Sequence, residues 1–174
     1  MLKRARHLWR DNHGLAAVEF ALVAPVMIVM FYGAIELSTA VDCNSRVSRV
    51  SSTVADLVAQ STTVSSSDTT NIFNAANAIL YPYAASNAQI RVSSLVASST
   101  GTVSVAWSDA QNTSARTSPP SSIPSGIIPT SSSIIYAEIS YTFTPAISYF
   151  LGGSVTLTSS FYSKPRRSVK VAHS

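Results

Sequence analysis

The sequence predicts an α+β fold: one long N-terminal helix (membrane-spanning, then amphipathic), a short second helix, and an antiparallel sheet of about four strands. Three observations carry this. A long apolar run starts near the N-terminus and continues in helical rhythm to about residue 60. The hydrophobic period then shortens to two in the second half of the chain. Glycine- and serine-rich stretches separate the alternating segments. Composition agrees, with 46% hydrophobic but only 11% charged residues, against roughly 25% charged in an average soluble domain. At 174 residues there is room for one domain with an appendage.

The long helix comes first in the chain. Leu15 to Leu37 reads LAAVEFALVAPVMIVMFYGAIEL, which as a helix rises about 34 Å and spans a hydrocarbon core of about 30 Å. Phe20 to Ile35 carries no charge and is bracketed by Glu19 and Glu36. Lys3, Arg4, Arg6 and Arg10 lie just before it, against one acid, Asp11. Only Arg46 and Arg49 follow closely, so the positive-inside rule puts the N-terminus in the cytoplasm and the rest across the membrane. Phe31 and Tyr32 fall toward the far interface. Pro25 removes the hydrogen bond to the Ala21 carbonyl and favours a kink or opened turn. A cleavable secretory signal is the competing reading, with Ser38-Thr39-Ala40 as a small-residue exit, but the apolar run exceeds the usual length and contains Glu19.

Glu19 is the residue that asks for a partner. A carboxylate at the bilayer centre costs about 2.5–3.5 kcal/mol on insertion scales, and less near an interface. A cut after Gly14 would give Leu15 a new α-amino group, cationic at neutral pH. Leu15 and Glu19 are four residues apart on one helix face, and the same amine could pair with Glu19 of a neighbouring chain. The plain alternative is that Glu19 snorkels to the headgroups.

Basic residues, Gly14, then Leu15-Ala16-Ala17-Val18-Glu19-Phe20 and a Pro-interrupted apolar helix resemble the type IV-like prepilin signal. Within that class the segment looks most like the TadE-like minor pseudopilins of the tight-adherence (Flp) pilus system. The likeness covers roughly residues 4 to 45. It implies a prepilin peptidase cutting after Gly14, with Gly14, Leu15, Glu19 and Phe20 as the processing site and Glu19 and Pro25 serving assembly. It also implies partnership with other pilin and pseudopilin subunits, an inner-membrane assembly platform and membrane lipid. Phe20 stands where major pilins commonly have tyrosine. The alternative class is an uncleaved, single-pass, membrane-anchored envelope protein that binds a ligand or scaffolds a complex.

The expected divisions are a leader at 1–14, a spanning helix at 15–37 and an extracytoplasmic α+β domain at 38–174. Val47, Val50, Val54, Leu57 and Val58 continue the helix as an apolar stripe. Asp68 is expected to cap a short helix from Thr69 to Leu80, which Tyr81-Pro82-Tyr83 ends. Ile90 and Val92, with Leu95 or Val96, mark one strand. Val103, Val105 and Trp107 mark a second, with Gly101 at the turn between them. Ile135, Ala137, Ile139, Tyr141 and Phe143 alternate as a half-buried third. Val155, Leu157, Ser159 and Phe161 form the fourth, after Gly152-Gly153.

Residues 113–133 hold four of the eight prolines and no hydrophobic period, so a mobile or exposed surface excursion is expected there. Asn112-Thr113-Ser114 matches the short glycosylation pattern. Cys43, the single cysteine, could form an intermolecular disulfide in an oxidising compartment or pack as a small buried hydrophobe. Lys164-Pro165-Arg166-Arg167 reads as a solvated tail or as a contact for headgroups or an acidic partner.

Chemistry-bearing patterns are absent from the sequence. No phosphate loop, GxSxG elbow or HExxH occurs. The three histidines lie at the chain ends and the acids are scattered, so no enzyme, metal or cofactor is expected. Cations gathered at the two ends, not along one face, argue against nucleic acid as a partner.

Overall fold

The computed structural model describes residues 13–121, 123, 124, 126–145 and 152–174. The basic cluster Lys3, Arg4, Arg6 and Arg10 lies outside the described residues. The chain divides into two compact units, Met1–Thr39 and Ala40–Ser174. Helix α1, His13–Ala59, runs through the boundary as one element with Pro25 inside it, so the missing amide at Pro25 does not end the helix.

In the first unit the apolar side chains are exposed all round the helix. Phe20 is 71% exposed, Leu22 72% and Met30 70%. Nothing in the most apolar stretch of α1 is buried within the protein, and the helix is long and apolar enough to cross a membrane. Of the two acids that bracket the charge-free run, Glu19 is exposed and Glu36 is buried.

The second unit begins with the rest of α1. Then come strand β1 (Thr63–Val64), helix α2 (Ser66–Leu80), a 3-10 turn (Ala85–Asn87), and strands β2 (Ala88–Ala97), β3 (Val103–Gln111), β4 (Ser133–Phe143), β5 (Val155–Ser163) and β6 (Ala172–His173). The four long strands form one sheet in the order β3-β2-β4-β5 with every neighbouring pair antiparallel. The stripe expected on α1 is the core face: Val47, Val50, Val54 and Val58 are fully buried, as is Cys43. They pack with Phe73, Ala76 and Leu80 of α2 and with the inner face of the sheet, Ile90 and Val92 of β2 and Ile135 to Phe143 of β4. Burying each such valine contributes about 1.5–3 kcal/mol relative to leaving it exposed.

Helix α2 starts at Ser66, three residues before the expected Thr69. Ser65 is the cap and Asp68 the third helical residue. The Ser65 hydroxyl accepts from the Asp68 amide at 3.3 Å, and the Asp68 carboxylate accepts from the Ser65 amide at 2.9 Å. This reciprocal box satisfies two donors that a helix start otherwise leaves orphaned.

The β2–β3 hairpin turns at Gly101, whose φ of +81° is a left-handed conformation that side chains disfavour. Past the turn, the alternation expected in β3 is broken. Leu95 pairs with Val105, but Ser94 pairs with Trp107, so Ala106 is an extra residue, a bulge. The bulge re-aims the strand. Val103 and Val105 pack with Leu95 on the outer face, whereas Trp107 packs with the inner core.

Residues 112–132 are a necessary connection and not a free excursion. β3 and β4 are both antiparallel to β2, hence parallel to each other, with β2 between them. Joining parallel strands takes a crossover of a dozen or more residues that returns along the sheet, here about 30 Å for a ten-residue strand. Its course over the outer face explains why β4 is covered on both sides, with Ile134 and Tyr136 buried as well as Ile135 and Ala137. Ile123 and Ile128 of the crossover pack there with Leu95, Ile134 and Tyr136.

Nor is the C-terminal segment a solvated tail. The Arg166 amide donates to the Ala59 carbonyl at 2.9 Å at the end of α1. β6 pairs in parallel with β1. Val171 is 1% exposed within the main core, and its carbonyl accepts from Trp107 Nε1 at 2.8 Å.

Candidate functional site

Gly14 is in the first turn of α1, where backbone amides lack intrahelical partners and the helix opens at least cost. A Cβ built on it meets nothing within 4 Å, so no packing within the described chain requires glycine there. Leu15 is 61% exposed and Phe20 71%. Glu19 follows Leu15 by one helical turn, which puts its carboxylate on the face below the residue whose amine a cut after Gly14 would release. Glu19 makes no ion pair with any described residue. The helix brings these four together on its first two turns, and Pro25 lies one turn and a half further along.

Cys43 is wholly buried among the α1 stripe and the sheet. Burial pushes its thiol up from 9.0 to about 11. At neutral pH it is a packed thiol, and a disulfide with a second chain would require α1 to leave the sheet at that point.

Around the start of the second unit, Asp42, Arg46 and Tyr83 form a cluster that sequence spacing alone shows only in part. Arg46 Nε donates to Asp42 at 2.8 Å, the expected one-turn pair. Its NH1 also donates to the carbonyl of Tyr81 at 2.6 Å, tying α1 to the end of α2. Tyr83 donates its hydroxyl to Asp42 at 2.9 Å. The Arg46 and Tyr83 hydrogen bonds hold the Asp42 carboxyl below the usual carboxylate range. Burial first, and the Asp42 bond second, push Tyr83 up to about 12.

On the outer sheet face Glu138 holds the crossover. Arg116 donates through NH2 to both carboxylate oxygens, at 2.7 and 2.8 Å. Arg91, directly opposite Glu138 in the ladder, also pairs with it. Arg91 is fully engaged, because Nε donates to the Ser114 carbonyl and NH2 to Thr113 Oγ1. The groove of about 350 Å³ beside it, lined by Gln89, Thr158 and Ser160 among others, therefore presents hydroxyl and amide groups more than free charge. Asp56 pairs with Arg166 and Asp109 with His173, so each acid described in this unit is tied to a different partner. Asn112 spends its side-chain amide on the carbonyls of Ala85 and Ala88, at 3.2 and 2.8 Å, which are contacts a sugar on that nitrogen would have to break.

An exposed apolar helix long enough to cross a membrane continues into an α+β unit, an arrangement compatible with a single-pass anchor. Residues 14–56 match the family model described as TadE-like protein. The match spans about a quarter of the chain and includes Gly14, Leu15, Glu19, Phe20 and Pro25. The family is a structural one associated with the tight-adherence pilus, and the likeness to it is confined to that segment. No curated protein and no solved structure matches the chain.

Proposed function

We propose that the chain is a minor pilin, or pseudopilin, of a tight-adherence pilus assembly and secretion machine. It is inserted with the N-terminus in the cytoplasm and the second unit outside the inner membrane. A prepilin peptidase trims it after Gly14. The trimmed chain then joins other pilin and pseudopilin subunits on the inner-membrane assembly platform through α1. The observation that carries this reading is that residues 15–35, the first half of the segment matched by the family, present apolar side chains on every side of the helix. Such a surface needs lipid, and then neighbouring helices, around it.

Glu19 supplies the step that orders assembly. In the untrimmed chain its carboxylate lacks a described cation; after trimming, the Leu15 amine of a neighbour meets it. A cut at the alternative exit after Ala40 would fall inside an unbroken helix, three residues before the buried Cys43.

The test uses two variants. Gly14→Ala introduces no clash and replaces glycine with a better helix former, so a loss of trimming reports recognition and not folding. Gly14→Ala is expected to keep its leader, and Glu19→Ala to be trimmed but poorly assembled. Normal trimming of the first would refute the processing site, and normal assembly of the second would refute the charge pairing.

A further inference from the structure

The two edges of the sheet are built differently. A free strand edge is a template for another chain, and proteins blunt such edges with bulges, charges, proline or short strands. β3, at one edge, is broken by the Ala106 bulge and carries Asp109, which is paired with His173. β5, at the other, pairs with β4 over nine consecutive residues without a shift. It contains no lysine, proline or bulge, and no described strand pairs with its outer side. It reads Val-Thr-Leu-Thr-Ser-Ser-Phe-Tyr-Ser, largely residues that favour strands. Nothing in β5 guards its edge.

Beside this edge runs a groove of about 580 Å³ between β5 and α1. Leu57 and Phe161 supply its apolar surface, and Phe161 remains 44% exposed although it is on the inner side of the strand. Lys164 and Arg166 line it as well. Asp56 occupies Arg166. Lys164 and the neighbouring Arg167 are exposed and pair with no described acid.

We propose that the outer edge of β5 and this groove dock an extended, acidic segment of a partner protein, which adds to the sheet as a fifth strand. The main-chain groups of β5 supply the ladder, Phe161 and Leu57 receive an apolar side chain, and Lys164 and Arg167 select for acidic neighbours.

A second copy does not fit in the symmetric way. Antiparallel pairing of two β5 strands about a two-fold axis reverses α1 along with the strand. α1 runs along the sheet, from Asp42 beside Tyr83 and Tyr141 at one end to Asp56 beside Arg166 at the other. The two Ala40 residues would then sit at opposite ends of the joined sheet. Each is three residues from Leu37, about 11 Å of chain at most, so two copies could not both keep their apolar runs in one bilayer.

The inference takes from the proposed function that a partner exists and that the apolar run of α1 lies in a bilayer. Leader trimming and Glu19 play no part in its test, so the two ideas fail separately. The full chain in lipid nanodiscs is mixed with a synthetic peptide of alternating glutamate and valine, matched to the nine residues of β5. A lysine–valine peptide serves as counterpart, and amide hydrogen exchange is read by segment. The glutamate peptide is expected to slow exchange across 155–163, to leave 103–111 unchanged, and to bind about tenfold more tightly than the lysine peptide. Lys164→Glu together with Arg167→Glu is expected to reverse that preference. The proposal is overturned if the glutamate peptide gives no slowing, if both peptides act equally, or if 155–163 is already protected without peptide in self-associated protein.

Discussion

Two valines, two residues apart, test whether the C-terminal segment is part of the fold. Val171 is 1% exposed and Val169 72%. Truncating Val171 to alanine removes two buried carbon groups, each worth about 0.8 kcal/mol of transfer free energy. The cavity left behind adds to that, so the expected loss is about 2 kcal/mol. Val169→Ala makes the same chemical change on an exposed residue and should stay within about 0.5 kcal/mol of wild type. For a unit of this size the difference corresponds to roughly 6–8 °C in Tm. Thermal and urea unfolding of the full chain in detergent, followed by the fluorescence of Trp107, measures both. Trp107 is a fitting reporter because it donates to the Val171 carbonyl. If the two variants lose equal stability, the segment after Lys164 does not contribute to the core and its docked description is wrong.

Two further outcomes follow from the same structure. Cys43 should react with a thiol reagent only as fast as the unit unfolds, and it should form no cross-link between native chains. Because its folded-state thiol is raised from 9.0 to about 11, its contribution is fully present below the ordinary thiol value, where the unfolded thiol is still protonated. That contribution is lost as pH rises toward 11, and Cys43→Ala should flatten this part of the stability profile. Glu138→Gln leaves Arg91 and Arg116 facing each other with their shared carboxylate gone. It should cost about 2 kcal/mol, less than the roughly 3–5 kcal/mol of a fully buried broken pair, because Glu138 is about one-fifth exposed. It should also raise protease sensitivity within 113–132, and unchanged sensitivity would mean that Glu138 does not hold the crossover.

What could be read from the sequence was local. The 47 residues of α1 announce themselves because an apolar run and then a three-four valine stripe share one helical phase. β4 and β5 announce themselves by strict alternation. The missed features depend on residues distant in the chain. Ser65 and Asp68 form a capping box whose spacing was visible, but the run of serines before Asp68 hid which one begins the helix. The Ala106 bulge has no signature in VSVAWSDAQ, because it exists only relative to the register with β2. The proline-rich crossover reads as an unattached loop because the side chains that fasten it, Arg116, Ile123 and Ile128 among them, are isolated among serines and prolines. Its length makes sense only once β3 and β4 are known to be parallel. Val171 and β6 were invisible for the same reason, since a two-residue strand has no period. At the candidate site the reverse holds: Gly14, Leu15, Glu19 and Phe20 are adjacent on one helix, so the sequence displays the whole arrangement.

The most direct measurement of the account is the N-terminal residue of the chain recovered from assembled pilus material. Intact mass and N-terminal peptide analysis should find Leu15. A chain still beginning at Met1 in such material would leave Glu19 without the amine that the account assigns to it and would contradict the processing step outright.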